Sequence, residues 1–183
     1  NSVIDGEIQL DGERKGSPSK LTFKCIKDDS YKLELGAPVG FLWGGKKMFF
    51  GFIFDIKESS DGTYEVMCYD QRRYLKNKHT YAYKKKSATS VLKMIAKDFR
   101  LNVSSKCANT KYAIPQRIED NQTLYDILQT ALDITLIKTG NLFTLVDDFG
   151  KLNLLDLSKS KVDCLICRNT MGKWDSTYSI DKD

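Results

Sequence analysis

The chain has 183 residues, with 41% hydrophobic and 29% charged, an ordinary globular balance that leaves room for one large domain or two small ones. No apolar run approaches the roughly 20 residues that a bilayer-spanning helix needs, and "NSVIDGEIQL" lacks the basic start and apolar core of a signal peptide. The net charge of +5 is local: residues 69–86 hold seven of the 29 basic residues and one of the 24 acids, leaving 22 against 23 elsewhere, so the charge alone is no nucleic-acid signal.

Residues 1–70 have the pattern of β structure. "KLTFKCIK" alternates, with Leu21, Phe23 and Cys25 on one face, and "GTYEVMCYD" places Tyr64, Val66 and Cys68 together. Between them, two strands are predicted around Gly44-Gly45, followed by a turn at Asp61-Gly62. Met48 to Ile56 is apolar almost throughout, which predicts that both its faces are covered. Gly51 within it predicts a bend or bulge of the kind that curls a sheet toward a barrel. A small antiparallel barrel or sandwich over 1–76 follows.

The stretch "YDQRRYLKNKHTYAYKKK" starts as the last strand of this unit and ends as the lead-in to a helix. Arg72, Arg73, Lys76, Lys78, Lys84, Lys85 and Lys86 form a basic seam, expected to be solvated and able to hold an acidic neighbour.

After Lys86 the period becomes helical. "SATSVLKMIAKDF" puts Val91, Leu92, Ile95 and Phe99 on one stripe, with Ser87 or Thr89 as the N-cap. "NQTLYDILQTALD" does the same with Leu124, Ile127, Leu128, Ala131 and Leu132, and Thr123 with Asp126 resembles a capping box. Residues 90–103 and 123–136 align without a gap, each as a helix running into an extended segment, a faint sign of a repeated unit. These residues make a helix-containing α/β part over 77–133. Three apolar runs separated by Gly140-Asn141 and by Asp147–Gly150 then predict a β-meander over 134–157. Residues 158–183 are polar and weakly patterned, and they are expected to lead into a further domain. The fold class is α+β.

Motifs for chemistry do not assemble. His79 is the only candidate base for a nucleophilic triad, and its lysine-rich surroundings mark it as a lone surface histidine. Five cysteines, odd in number and unevenly spaced, predict reduced thiols. Cys164 and Cys167 have CxxC spacing but lack two further zinc ligands and a thioredoxin-like βαβ context. Asp147-Asp148 beside Phe149-Gly150 predicts a hairpin turn. "GGKK" lacks the frame of a phosphate-binding loop. The chain is therefore expected to be no enzyme and to carry no metal or cofactor. Two binding classes compete with a structural role. One is an OB-like nucleic-acid module using 69–86 and the aromatic strand "MFFGFIF". The other is a LysM-like peptidoglycan module, since the two helices resemble the helix of that domain.

Taken in order, "GFLWGGKKMFFGFIFDIKES", "YEVMCYDQRRYLKNKHTYAYKKKSATSVLKMIAKDF", "IPQRIEDNQTLYDILQTALDITLIKTGNLFTLVDDFGKLNL" and "YSIDKD" resemble the XkdQ/YqbQ proteins of contractile phage tails and phage-like elements. The resemblance covers nearly the whole chain, and its specificity lies in the ordered set. It implies a baseplate hub: a homotrimeric ring at the base of the tail tube, in contact with the tube, the spike and a LysM-bearing tail protein. It implies no catalytic residues, no membrane and no specific nucleic acid. It places the protein in the bacterial cytoplasm during assembly and in the particle afterwards. Members are longer, so the chain would be their N-terminal part. Edge strands in "KLTFKCIK" or in the 134–157 meander would pair across protomers.

Overall fold

The structure is a computed structural model that describes residues 4–28 and 32–159. The alternating segments become β1 (Ile4–Asp11), β2 (Lys20–Ile26), β3 (Pro38–Trp43), β4 (Lys46–Glu58) and β5 (Thr63–Tyr69), one antiparallel sheet in the order β1-β2-β5-β4-β3. Gly44 and Gly45 both have positive φ and separate the paired residues Trp43 and Lys46, the two-residue turn whose twist suits a hairpin. The concave face buries Leu21, Phe23, Cys25, Phe49, Ile53, Val66 and Cys68 as one small core.

The sheet curls without closing because β4 changes partners along its length. Residues 46–52 pair with β3 and residues 52–58 pair with β5, so only Phe52 is shared. Gly51 sits at this corner, but the register shift lies two residues later, between Ile53 and Asp55. Gly51 meets a different demand. A Cβ there would lie 2.3 Å from the Tyr69 carbonyl oxygen and 2.6 Å from the Phe49 ring, so only glycine permits the approach.

A 3-10 helix, Gln71–Lys76, leads from the sheet into a second unit: β6 (Lys78–Tyr83), α1 (Ala88–Asp98), β7 (Arg117–Thr123), α2 (Leu124–Thr139), β8 (Phe143–Asp147) and β9 (Leu152–Asp156). The strands form two antiparallel pairs, β6 with β7 and β8 with β9. Of the two candidates, Ser87 is the cap of α1, its Oγ accepting from the Ser90 N–H at 3.2 Å. Thr123 caps α2, its Oγ1 accepting from the Asp126 N–H at 3.0 Å and touching the Asp126 carboxylate at 2.6 Å. Eighteen buried residues from Leu75 to Leu154 make one core, with Ile95, Ile114, Leu124, Ile127 and Leu152 fully enclosed.

Three expectations are corrected here. The meander has two strands, since α2 runs on to Thr139 through residues 134–139. Gly140, in the left-handed region at φ 72°, is its C-cap and not a hairpin turn. For the same reason the repeat fails: α1 stops at Phe99, and Leu101 to Val103 leave it extended, whereas Ile134 to Leu136 stay helical. Finally, β2 pairs on one side with β1 and on the other with β5, so "KLTFKCIK" is interior. The edges of the sheet are β1 and β3. Residues 160–183, with Cys164 and Cys167, lie outside the described residues.

Candidate functional site: the junction of sheet and helical unit

The basic stretch opens on its single acid, and that acid organises the junction. Asp70 is buried and caps the 3-10 helix. Its Oδ1 accepts from the Arg72 N–H at 2.9 Å, and its Oδ2 accepts from the Ser19 N–H at 2.9 Å. The Arg72 guanidinium closes the cluster, with Nη2 at 2.8 Å from Asp70 Oδ2 and 2.6 Å from Ser19 Oγ. Its Nη1 donates to the Leu145 carbonyl at 3.4 Å. Beside it Gln71 donates from Nε2 to Asp147 Oδ2 at 2.9 Å, while Asp147 Oδ1 accepts from the Gly150 N–H at 2.6 Å. The lead into β2, the 3-10 helix and the β8–β9 hairpin are thus tied by one polar network, the satisfied kind that fixes a relative arrangement. Burial pushes the Asp147 carboxyl up to about 6. The Gly150 N–H, Gln71 and Arg72 pull the other way, and Asp70 adds to the rise.

An aromatic ladder covers the same junction on the convex face. Phe50, Phe52 and Phe54 alternate away from the core along β4. Phe50 packs on Phe149 at 5.4 Å between centroids, Phe52 on Tyr74 at 6.3 Å and Phe54 on Tyr69 at 5.4 Å. Arg73 lies over Phe54 and Tyr69, and Lys47 over Phe149 at 4.8 Å. Both faces of β4 are thus covered in its middle, as expected, but Met48 and Phe54 remain exposed. The rings are used against one another and against the neighbouring unit, which leaves them poorly placed as a stacking platform for bases.

The seven basic residues do not form one patch. Arg72 is 4% exposed and ion-paired inside, so it leaves the solvated seam; burying an arginine requires such a partner. Arg73 stacks on rings. Lys76 and Lys78 lie at one end of β6 and Lys84, Lys85 and Lys86 at the other, about 20 Å away at the rise of a strand. The sequence shows Asp70 as the lone acid among seven bases, which is the one signal that could have revealed an internal pair. Ser19, Gln71 and Asp147 carry no comparable mark.

His79 is exposed and meets Tyr81 and Phe99 edge-on. Tyr81 donates to Asp98 at 2.7 Å, and burial together with that carboxylate raises its phenol. Burial pushes the Cys68 thiol up to about 12, which makes it an inert core residue. Cys25, Cys68 and Cys107 are free thiols. Asp147 and Asp148 flank a hairpin turn in which Phe149 and Gly150 both have positive φ. Among the described residues, no group of three His, Cys, Asp or Glu is placed to hold a metal ion.

Comparison with known proteins gives a consistent set. A family model described as YQBQ-like matches residues 8–183. YqbQ of Bacillus subtilis is 32% identical over 158 residues, covering 83% of this chain and 48% of that protein. The phage-like element PBSX protein XkdQ of the same organism is 31% identical over 158 residues, with the same coverage. The chain therefore spans about half the length of these relatives. In fold it resembles the 43 kDa tail protein of prophage MuSo2 from Shewanella oneidensis, with a TM-score of 0.59 at 15% identity, over 84% of this chain and 52% of that one.

Proposed function

The chain belongs to the YQBQ-like family, and from that footing we propose that it is a structural part of a phage tail or phage-like particle. The observation that carries this reading is the match over 83% of the chain to a phage-like element protein, XkdQ. The fold shared with a prophage tail protein supports it independently of sequence identity. The role is mechanical: the curled sheet builds part of a ring, and the helical unit is held to it rigidly by the Asp70–Arg72–Ser19 cluster and the aromatic ladder.

More finely, the protein serves as a baseplate hub, a homotrimeric ring joining the tail tube to the spike and to a LysM-bearing tail protein. It assembles in the bacterial cytoplasm and carries no catalytic centre. The exposed basic residues Arg73, Lys76, Lys78, Lys84, Lys85 and Lys86 are contacts for acidic neighbours in that assembly.

The test is to delete the gene in a host that produces the particle and to label its product in purified particles. Loss of intact tails, with the label at the base of the tube, is the expected result. Particles that form normally without the protein would overturn the reading. Binding to DNA that falls steeply with rising salt would favour the nucleic-acid alternative.

A further inference from the structure

A pocket of about 270 Å³ opens beside the junction, where the sheet and the helical unit meet. Its walls are aromatic: Phe50 and Phe52 come from β4, Tyr74 from the 3-10 helix and Phe99 from the end of α1. The volume falls just below the roughly 300–1,000 Å³ of small-molecule and cofactor sites, and it suits a single large side chain. Among the described lining residues Arg100 alone is charged, and it is exposed. Its guanidinium has no hydrogen bond, ion pair or ring contact among the described residues. The acids around it are otherwise engaged. Asp98 accepts from Tyr81 at 2.7 Å, Asp148 from Ser104 at 3.0 Å and Asp147 from Gln71 at 2.9 Å. Lys151, which follows the lining residue Gly150, is a second exposed cation.

Arg100 also stands in an unusual backbone position. The Leu101 N–H donates to the Ala96 carbonyl at 2.8 Å and the Arg100 N–H to the Lys97 carbonyl at 3.4 Å, the paired bonds that close a helix with a left-handed residue. Arg100 is that residue, at φ 54°, where glycine is usual. A cation near a helix C-terminus is favourable, but Lys97 already supplies one in the last turn. A strained residue thus carries a side chain that no described residue uses, and such outliers point to function.

We infer that the pocket is a docking site for an acidic segment of a partner protein, which seats one aromatic side chain between the rings and sets a flanking carboxylate on the Arg100 guanidinium. Charge selects the occupant. An open guanidinium fork with no acid in the lining takes a carboxylate, and aromatic walls around it take a ring as anchor. A nucleic acid fits less well. Phe50 and Phe52 meet at 79° and Phe52 and Tyr74 at 65°, so these rings offer no parallel faces to hold a base. Because the walls come from both units, the occupant bridges the junction. Arg100 lies outside the basic stretch 69–86, so this contact is distinct from those of the lysines there. The inference stands on the pocket alone; under the tail reading the segment belongs to a neighbouring tail protein.

Titration of the isotope-labelled full chain with the end-capped peptide Asp-Glu-Phe-Asp-Glu, followed by amide chemical shifts, tests it. Binding is expected with a dissociation constant of about 1 mM or tighter, and with the largest shifts at Arg100, Leu101, Asn102 and Gly150. Exchanging the acids of the peptide for their amides, or its Phe for Ala, is expected to weaken binding at least about fivefold in each case. Arg100→Gly suits the left-handed position. Its unfolding temperature is expected to equal or exceed the parent's while its affinity for the peptide falls at least about tenfold. Absence of shifts at those amides in about 10 mM peptide overturns the inference. So does an Arg100→Gly chain that binds as the parent does. Pentathymidylate that binds at the same amides more tightly than the peptide also overturns it, in favour of a nucleic acid. None of these results touches the tail-protein reading, which is decided on purified particles.

Discussion

Burial holds the Asp147 carboxyl at about 6 against an ordinary value of 3.8, and the sign of that shift sets a pH dependence. Between pH 3.8 and about 6 the folded chain keeps a proton that the unfolded chain has released. Stability contributed by the neutral carboxyl is therefore complete at low pH and is lost as pH rises through that window, by about 3 kcal/mol in all. Asp147→Asn keeps an acceptor for the Gly150 N–H and lets Gln71 turn its amide. It is expected to stabilise the protein at pH 7.5 by more than at pH 4. Urea unfolding at the two values measures the difference, and equal effects would count against the shift. Arg72 has the opposite character, being a charge whose removal leaves Asp70 buried beside a missing partner. Arg72→Ala is expected to cost about 3 kcal/mol in the same assay. Gly51→Ala forces a methyl toward the Tyr69 carbonyl and is expected to cost at least about 2 kcal/mol, whereas Gly16→Ala, where nothing lies within 4 Å, mainly strains its own backbone.

At the scale of elements, local signals carried most of the assignments. Period two located β2 and β5, period 3.6 with its caps located α1 and α2, and the glycine pair located the β3–β4 hairpin. Two of the failures, the third meander strand and the repeat, have one cause: whether an apolar run after a helix continues it depends on a stop signal and on packing. "ITLIKT" contains β-branched residues that favour a strand, but Gly140 lies beyond them and Thr135 is buried against the helical core, so the helix takes them. Replacing Gly140 by Ala is expected to cost about 1 kcal/mol and to fray this last turn, visible as faster amide exchange at residues 136–139. The junction was less legible than the elements. Asp70 and Arg72 are close in sequence, but Ser19 and the Leu145 carbonyl reach them from 51 and 73 residues away, and only the fold brings them there.

At the scale of the molecule, seven buried residues make the sheet core and eighteen make the helical core, so the smaller unit leans on the larger through the junction. One cooperative transition is expected, with the loss of helical circular dichroism and the loss of amide-exchange protection in β2 and β5 coinciding along a urea gradient. In Arg72→Ala the exchange signal of β2 and β5, which reports the sheet, is expected to move to lower urea than the helical signal. Coincident curves in that variant would mean the network does not couple the units. The exchange of partners along β4 has a further consequence, for tolerance of insertions. Because residues 46–52 answer to β3 and residues 52–58 to β5, the strand has two independent frames of alternation that meet at Phe52. A residue added at the Gly44-Gly45 tip lengthens a loop and disturbs neither frame. A residue added between Gly51 and Ile53 turns one frame over against the other, sending Phe49 to the convex face and Phe50 into the core while β5 stays in register.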